Sequence, residues 1–200
     1  TKLTFVTWSA SEKGAVWTAN VDGTNPHAII GGQYRPGWVA VGSWVPLPRF
    51  LYWANNAEGT ITQANLDASN PHPLVSGQGR VAGVAVDLLH LYWSNSNDGT
   101  IHVANLDASN PHTLVTGQFI PYGLAVDASH LYWANYGTNS INQANLDGSN
   151  LKTLVTGQDA PVQVAVDPSH LYWTNGDSIW QANLDGTNPQ TLATGLDGAW

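Results

Sequence analysis

Apolar positions in this chain come in short bursts, not in long stripes. Across residues 119–158, the segments Gly123-Leu124-Ala125-Val126, Leu131-Tyr132-Trp133, Ser140-Ile141-Asn142-Gln143-Ala144-Asn145-Leu146 and Lys152-Thr153-Leu154-Val155 stand between polar turns. Short apolar or alternating runs bounded by Gly, Asn, Asp and Ser predict strands, named A to D here. Asp127-Ala128-Ser129-His130, Tyr136-Gly137-Thr138-Asn139, Asp147-Gly148-Ser149-Asn150 and Gly157-Gln158 are the separating turns. No apolar stripe with a 3.6-residue period and useful length occurs, so no helix is predicted.

The same pattern returns along the whole chain. Leu-Tyr-Trp occupies 51–53, 91–93, 131–133 and 171–173, forty residues apart, with a degenerate copy at Val6-Thr7-Trp8. An Asn-(Leu/Val)-Asp turn follows twelve residues after Trp8, Trp53, Trp93 and Trp133, and its last copy, Asn183-Leu184-Asp185, comes two residues early. A fixed period near forty residues with four strands per period is the unit of a β-propeller blade. The expectation is an all-β propeller of about 40-residue four-stranded blades, five of them visible. Residues 1–200 are read as one domain with units at about 1–33, 34–78, 79–118, 119–158 and 159–200. Strand A is small and apolar because inner strands converge on the axis, whereas Tyr and Trp fill the widening space between blades.

Gly-(Val/Leu)-Ala-Val-Asp, Leu-Tyr-Trp-x-Asn, Asn-Leu-Asp-Gly-(Ser/Thr)-Asn-Pro and Thr-Leu-Val together resemble the YWTD repeat of low-density-lipoprotein-receptor-type propellers over nearly the whole chain. The resemblance implies a six-bladed, extracellular, protein-binding module. The family's Thr-Asp is replaced here by Ala54-Asn55, Ser94-Asn95, Ala134-Asn135 and Thr174-Asn175.

Strand A is counted only four times, near 37–41, 82–86, 122–126 and 162–166, so the first blade is expected to have three strands. Trp200 is expected to tuck towards the axis as a partial plug. A native protein longer than this chain, with a sixth blade or a missing terminus, is the favoured way to complete the ring. A fold-back of Thr1 to Thr4, or self-association through ring closure with a strand from another chain, are the alternatives.

Composition narrows the partners. A net charge of −8 with only six Lys and Arg leaves no basic cluster for nucleic acid or an anionic membrane. No apolar run reaches the roughly 18 residues of a membrane span, so no membrane insertion is expected. Cysteine is absent, which excludes disulfides and thiolate metal sites. Low charge with abundant Trp, Asn, Thr and Gly resembles secreted β-proteins, and the expected location is extracellular or secreted.

Aspartates that open turns are read as structural: Asp22, Asp67, Asp107, Asp147 and Asp185 between strands C and D, and Asp87, Asp127 and Asp167 between A and B. Six histidines recur with the period and therefore sit in different blades, too far apart to share an ion. His102 alone is off the repeat, and one histidine is not a site. No metal and no cofactor is expected.

In a propeller the A–B and C–D turns share one face, and the D–A and B–C loops share the other. The D–A loops vary where the strands do not, and they carry Arg35, Trp38, Arg80, Phe119, Tyr122, Asp159, Gln163 and Trp200. The B–C loops vary as well and include Tyr136. Aromatic residues with arginine are costly to expose by drift and match the composition of binding patches. The candidate ligand-binding set is Arg35, Trp38, Arg80, Phe119, Tyr122, Asp159, Gln163 and Tyr136. The loop 42–50, Gly42-Ser43-Trp44-Val45-Pro46-Leu47-Pro48-Arg49-Phe50, is read as packing across a neighbouring turn in preference to contacting another chain.

No nucleophile–base–acid set, phosphate loop or paired catalytic carboxylates stands out, so no catalytic residue is assigned. The first functional reading is a non-enzymatic recognition module that binds a protein segment or glycan on the D–A/B–C face. The alternatives are a propeller lectin with one carbohydrate site per blade, placed in the uniform residues, and a lyase or hydrolase using Arg35, Arg80, Asp159 and Tyr122 in the funnel.

Overall fold

The computed structural model describes residues 2–8, 13–20, 24, 26–34, 36–41 and 50–196, with few side chains before residue 50. Its strands form five antiparallel sheets from five consecutive stretches of chain. Blade one holds β1 (Lys2–Trp8), β2 (Lys13–Asn20) and β3 (His27–Tyr34). Blade two holds β4 (Pro36–Val41), β5 (Phe50–Asn55), β6 (Thr60–Asn65) and β7 (His72–Val75). Blade three comprises β8 (Val81–Val86), β9 (His90–Asn95), β10 (Thr100–Asn105) and β11 (His112–Val115). Blade four comprises β12 (Pro121–Val126), β13 (His130–Asn135), β14 (Ser140–Asn145) and β15 (Lys152–Val155). Blade five comprises β16 (Pro161–Val166), β17 (His170–Asn175), β18 (Ser178–Asn183) and β19 (Gln190–Ala193). The fold is an all-β propeller, and no α-helix occurs among the described residues. One 3-10 turn at Tyr136–Thr138, in the B–C loop of blade four, is the helical element the strand pattern does not foresee.

The hydrophobic core is a row of slabs between blades. Tyr92, Ile101, Val103 and Val115 of blade three pack against Leu124, Leu131 and Trp133 of blade four. The same arrangement joins blade four to five through Tyr132 and Trp173, and blade two to three through Tyr52 and Trp93. Trp53, Trp93 and Trp133 are all at most 1% exposed, so each strand-B tryptophan serves as the wedge against the preceding blade.

Towards the axis, β1, β4, β8, β12 and β16 pack in succession. Small residues are required there: a Cβ on Gly83 would lie 2.5 Å from the Tyr122 carbonyl oxygen. Blade one shows three strands among the described residues, as its sequence predicts. On blade five Ala165 is exposed, whereas Ala85 and Ala125 at the same place are buried. Loop residues 42–49 and Trp200 lie outside the described residues.

Hydrogen bonds sort the connections into two faces. Leu106 N–H donates to the Leu89 carbonyl and Leu146 N–H to that of Ser129, tying C–D turns to A–B turns. Gln118 N–H donates to Gly99 O and Tyr136 N–H to Ile120 O, tying D–A loops to B–C loops.

Candidate functional site

Four of the five inner strands, β4, β8, β12 and β16, break register at the same point, whereas β1 pairs with β2 without a break. Pro121 pairs with Asn135 but Leu124 pairs with Trp133, so two residues of β12 oppose one of β13. The matching breaks are at Pro36/Val39, Val81/Gly83 and Pro161/Val164. An extra residue in one strand is a β-bulge, which re-aims side chains and is common beside binding sites. The bulged positions are Gly37-Trp38, Ala82, Tyr122-Gly123 and Val162-Gln163, at the D–A end of the axis. Where strand B offers a hydroxyl, it satisfies the bulge: Ser94 Oγ accepts Gly83 N–H at 2.8 Å and donates to Tyr122 O at 2.7 Å. Thr174 Oγ1 accepts Gln163 N–H at 3.0 Å.

The bulges gather part of the predicted set. Tyr122 and Tyr136 pack edge to face with centroids 5.4 Å apart. Gln163 lies over Gly123, where a Cβ would meet Val162 O at 2.8 Å. Its Oε1 is buried against Gly123, the residue after Tyr122, and has no hydrogen-bond partner. Phe119 is 60% exposed and covers Gly137, whose N–H donates to the Phe119 carbonyl at 3.0 Å. Phe119, Tyr122, Tyr136 and Gln163 therefore form one neighbourhood on blades four and five.

Arg80 and Asp159 stand apart from it. Arg80 is exposed at the edge of blade three, and its Nε donates to Asn56 Oδ1 of blade two at 3.2 Å. Asp159 N–H donates to Asn175 Oδ1 at 2.6 Å, with the exposed Asp159 carboxylate over Gly176. Trp38 has its backbone in β4, but its side chain lies outside the described residues, as does Arg35.

Turn aspartates and histidines have mainly local partners. Asp147 Oδ1 accepts Ser149 N–H at 2.9 Å and Ser149 Oγ–H at 2.6 Å, and the serine hydroxyl first, then the N–H, hold this carboxyl below its usual range. Asp127 Oδ1 accepts the N–H groups of Ser129 and His130, and Oδ2 accepts the Tyr132 hydroxyl at 2.8 Å. Burial alone would raise the Asp127 carboxyl, but these bonds outweigh it and the net direction is down. His102 stacks on Trp93 with centroids 5.3 Å apart, and burial lowers its basicity.

Two features escape the sequence reading. Gln118 Oε1 accepts Trp133 Nε1–H at 3.0 Å and Asn135 Nδ2–H at 2.9 Å. Gln78 does the same for Trp93 and Asn95, and Gln158 serves Trp173. The signal for it is a Gly-Gln pair fifteen residues before Trp93, Trp133 and Trp173. The second feature is a groove at each of two blade junctions on the opposite face, taken up below.

No protein-family model matches the chain, and no curated protein matches it in sequence. Among solved structures, the chain is similar to one described as a nidogen/laminin complex, at 25% identity and a TM-score of 0.78. That similarity covers 90% of this chain and 71% of the other. Backbone agreement over so much of the chain assigns the β-propeller fold independently of the repeat.

Proposed function

We propose that residues 1–200 act as one propeller domain, a non-enzymatic, secreted recognition module that binds a protein segment at the D–A end of its axis. The observation that carries this reading is the row of bulges, which stands the least uniform side chains of the repeat around that mouth. Tyr122, Tyr136 and Phe119 supply aromatic anchor area, and the unpartnered Gln163 Oε1 supplies an acceptor for a ligand N–H or O–H. Arg35, Trp38, Arg80 and Asp159 are proposed as the surrounding contacts. The structurally similar propeller comes from a nidogen/laminin complex, and the YWTD-like repeat points to the same use. Among the described residues no helix is long and apolar enough to cross a membrane.

A protein and glycan array identifies the ligand, and calorimetry then compares the parent chain with Tyr122→Ala and Gln163→Ala. The expected result is one ligand per chain, with Tyr122→Ala costing about 1–3 kcal/mol of binding at nearly unchanged thermal stability. Unchanged affinity in both variants, or several ligands per chain, would sink this assignment.

A further inference from the structure

On the A–B/C–D face, a groove opens between blades three and four with a volume of about 610 Å³, and another opens between four and five with about 730 Å³. Their linings are related by the repeat. In the first, His90 and Tyr92 line one side, Leu114 and Leu146 add apolar surface, and Asp127 and Asp147 come from the next blade. The second uses His130, Tyr132, Leu154, Leu184, Asp167 and Asp185 in the same places. Local hydrogen bonds hold the walls. Asp87 Oδ1 accepts the N–H groups of Leu89 and His90 at 2.7 Å, and its Oδ2 accepts the Tyr92 hydroxyl at 2.9 Å.

The two grooves differ at the A–B turn and on strands C and D. Blade three carries Leu88-Leu89 where blade four has Ala128-Ser129 and blade five has Pro168-Ser169. These leucines are 53% and 68% exposed, and Leu89 is pinned at both its N–H and its carbonyl. Val103 stands where the second groove has Gln143, and His112 stands where it has Lys152. These replacements make the first groove more apolar or less cationic at those positions. Rigidly displayed apolar area around a concave site marks a contact surface.

Charge selects the occupant. Asp87, Asp127 and Asp147 line the first groove, and no lysine or arginine does. The hydrogen bonds described for Asp147 fall on Oδ1, so Oδ2 is left to face a cation. Among the described residues seven aspartates, Asp67, Asp87, Asp107, Asp127, Asp147, Asp167 and Asp185, lie in the turns of this face, on a chain of net charge −8.

We propose that the groove between blades three and four binds an extended segment of a partner protein: a leucine-sized side chain packs against Leu89, Tyr92 and Leu114, and an adjacent Lys or Arg pairs with Asp147. The groove beside Lys152 is a weaker copy of the same site. This site is independent of the one at the axis.

The probe is a fluorescein-labelled peptide that alternates leucine with lysine and arginine, titrated in fluorescence anisotropy. Controls replace the basic residues by glutamate or the leucines by serine, and a neutral oligosaccharide serves as competitor. The basic, leucine-bearing peptide is expected to bind, with affinity falling as salt rises because exposed charges are screened. The L88A/L89S variant installs the turn that blade four already folds with, and it should weaken binding about tenfold through lost apolar burial. Asp147→Asn keeps the Oδ1 acceptor and should weaken binding about two- to fivefold, the range of an exposed ion pair. Tyr122→Ala should leave the affinity unchanged. The proposal fails if L88A/L89S binds as well as the parent, if the glutamate peptide binds equally, if no peptide saturates at millimolar concentration, or if the oligosaccharide displaces the probe and so marks the grooves as sugar sites.

Discussion

Gln118→Ala isolates the bond that latches one blade to the next. Gln118 Oε1 takes two donors, the indole N–H of fully buried Trp133 and the amide of Asn135. Truncation leaves both without their partner, and a buried unsatisfied donor costs about 1–3 kcal/mol. Gln118 is only half-buried, so water can enter the gap and replace part of what is lost. The expected loss is therefore about 2–3 kcal/mol, against about 3–5 kcal/mol for Trp133→Ala, which opens a cavity between blades. Urea unfolding followed by far-UV circular dichroism gives the midpoint and slope, and an unchanged slope keeps the comparison two-state. Trp133→Phe supplies the control because phenylalanine has no N–H to strand. In that background Gln118→Ala should cost about 1 kcal/mol less. A loss below about 0.5 kcal/mol, or the same loss in both backgrounds, refutes the latch.

Gly83→Ala should destabilise by about 1–3 kcal/mol because its Cβ meets Tyr122 O and backbone atoms of Gly123 and Leu124 in the next blade, whereas Gly31→Ala, in open space on β3, should stay within about 0.5 kcal/mol. Equal urea midpoints would mean that the inner strands are not in close contact. Carboxyls held below their usual range, Asp127 and Asp147 among them, give stability that is present above about pH 4 and lost as pH falls through the folded values. His102 adds a loss that starts below its ordinary 6.5, since burial opposes its protonation in the fold. Urea midpoints measured from pH 8 to pH 3 should therefore fall in two stages, and His102→Gln should remove the first.

Much of the fold was legible because each blade is stabilised by local pattern. Strand D of unit four, read as Lys152 to Val155, is Lys152–Val155 in the structure. Strand A, placed by its small apolar residues at 123–126 and by the aligned units near 122–126, begins earlier in the structure, at Pro121 of Pro121–Val126. The missing residues are those around the bulge, where register depends on the partner strand and not on alternation. The Gln118 latch escaped for a related reason. Its residue belongs by sequence to the end of one blade, but its acceptor serves the tryptophan of the next.

The candidate site was legible only where a side chain departs from the repeat and its neighbours depart with it. Tyr122 meets Tyr136, and Gln163 meets the neighbouring Gly123, because bulge, B–C loop and adjacent inner strand converge at the axis. Arg80 has the same compositional signal but turns aside to Asn56. Departure from the repeat also under-reads the other face. Asp127 is held in place by its own turn, as the sequence reading has it, yet it lines both grooves, because a residue that rigidifies a wall also forms that wall. Each groove draws its two sides from different units, so its chemistry is a combination that no single unit displays. Leu88-Leu89 on one unit and Asp147 on the next become one surface only when two blades pack, and that packing is what Trp133 supplies.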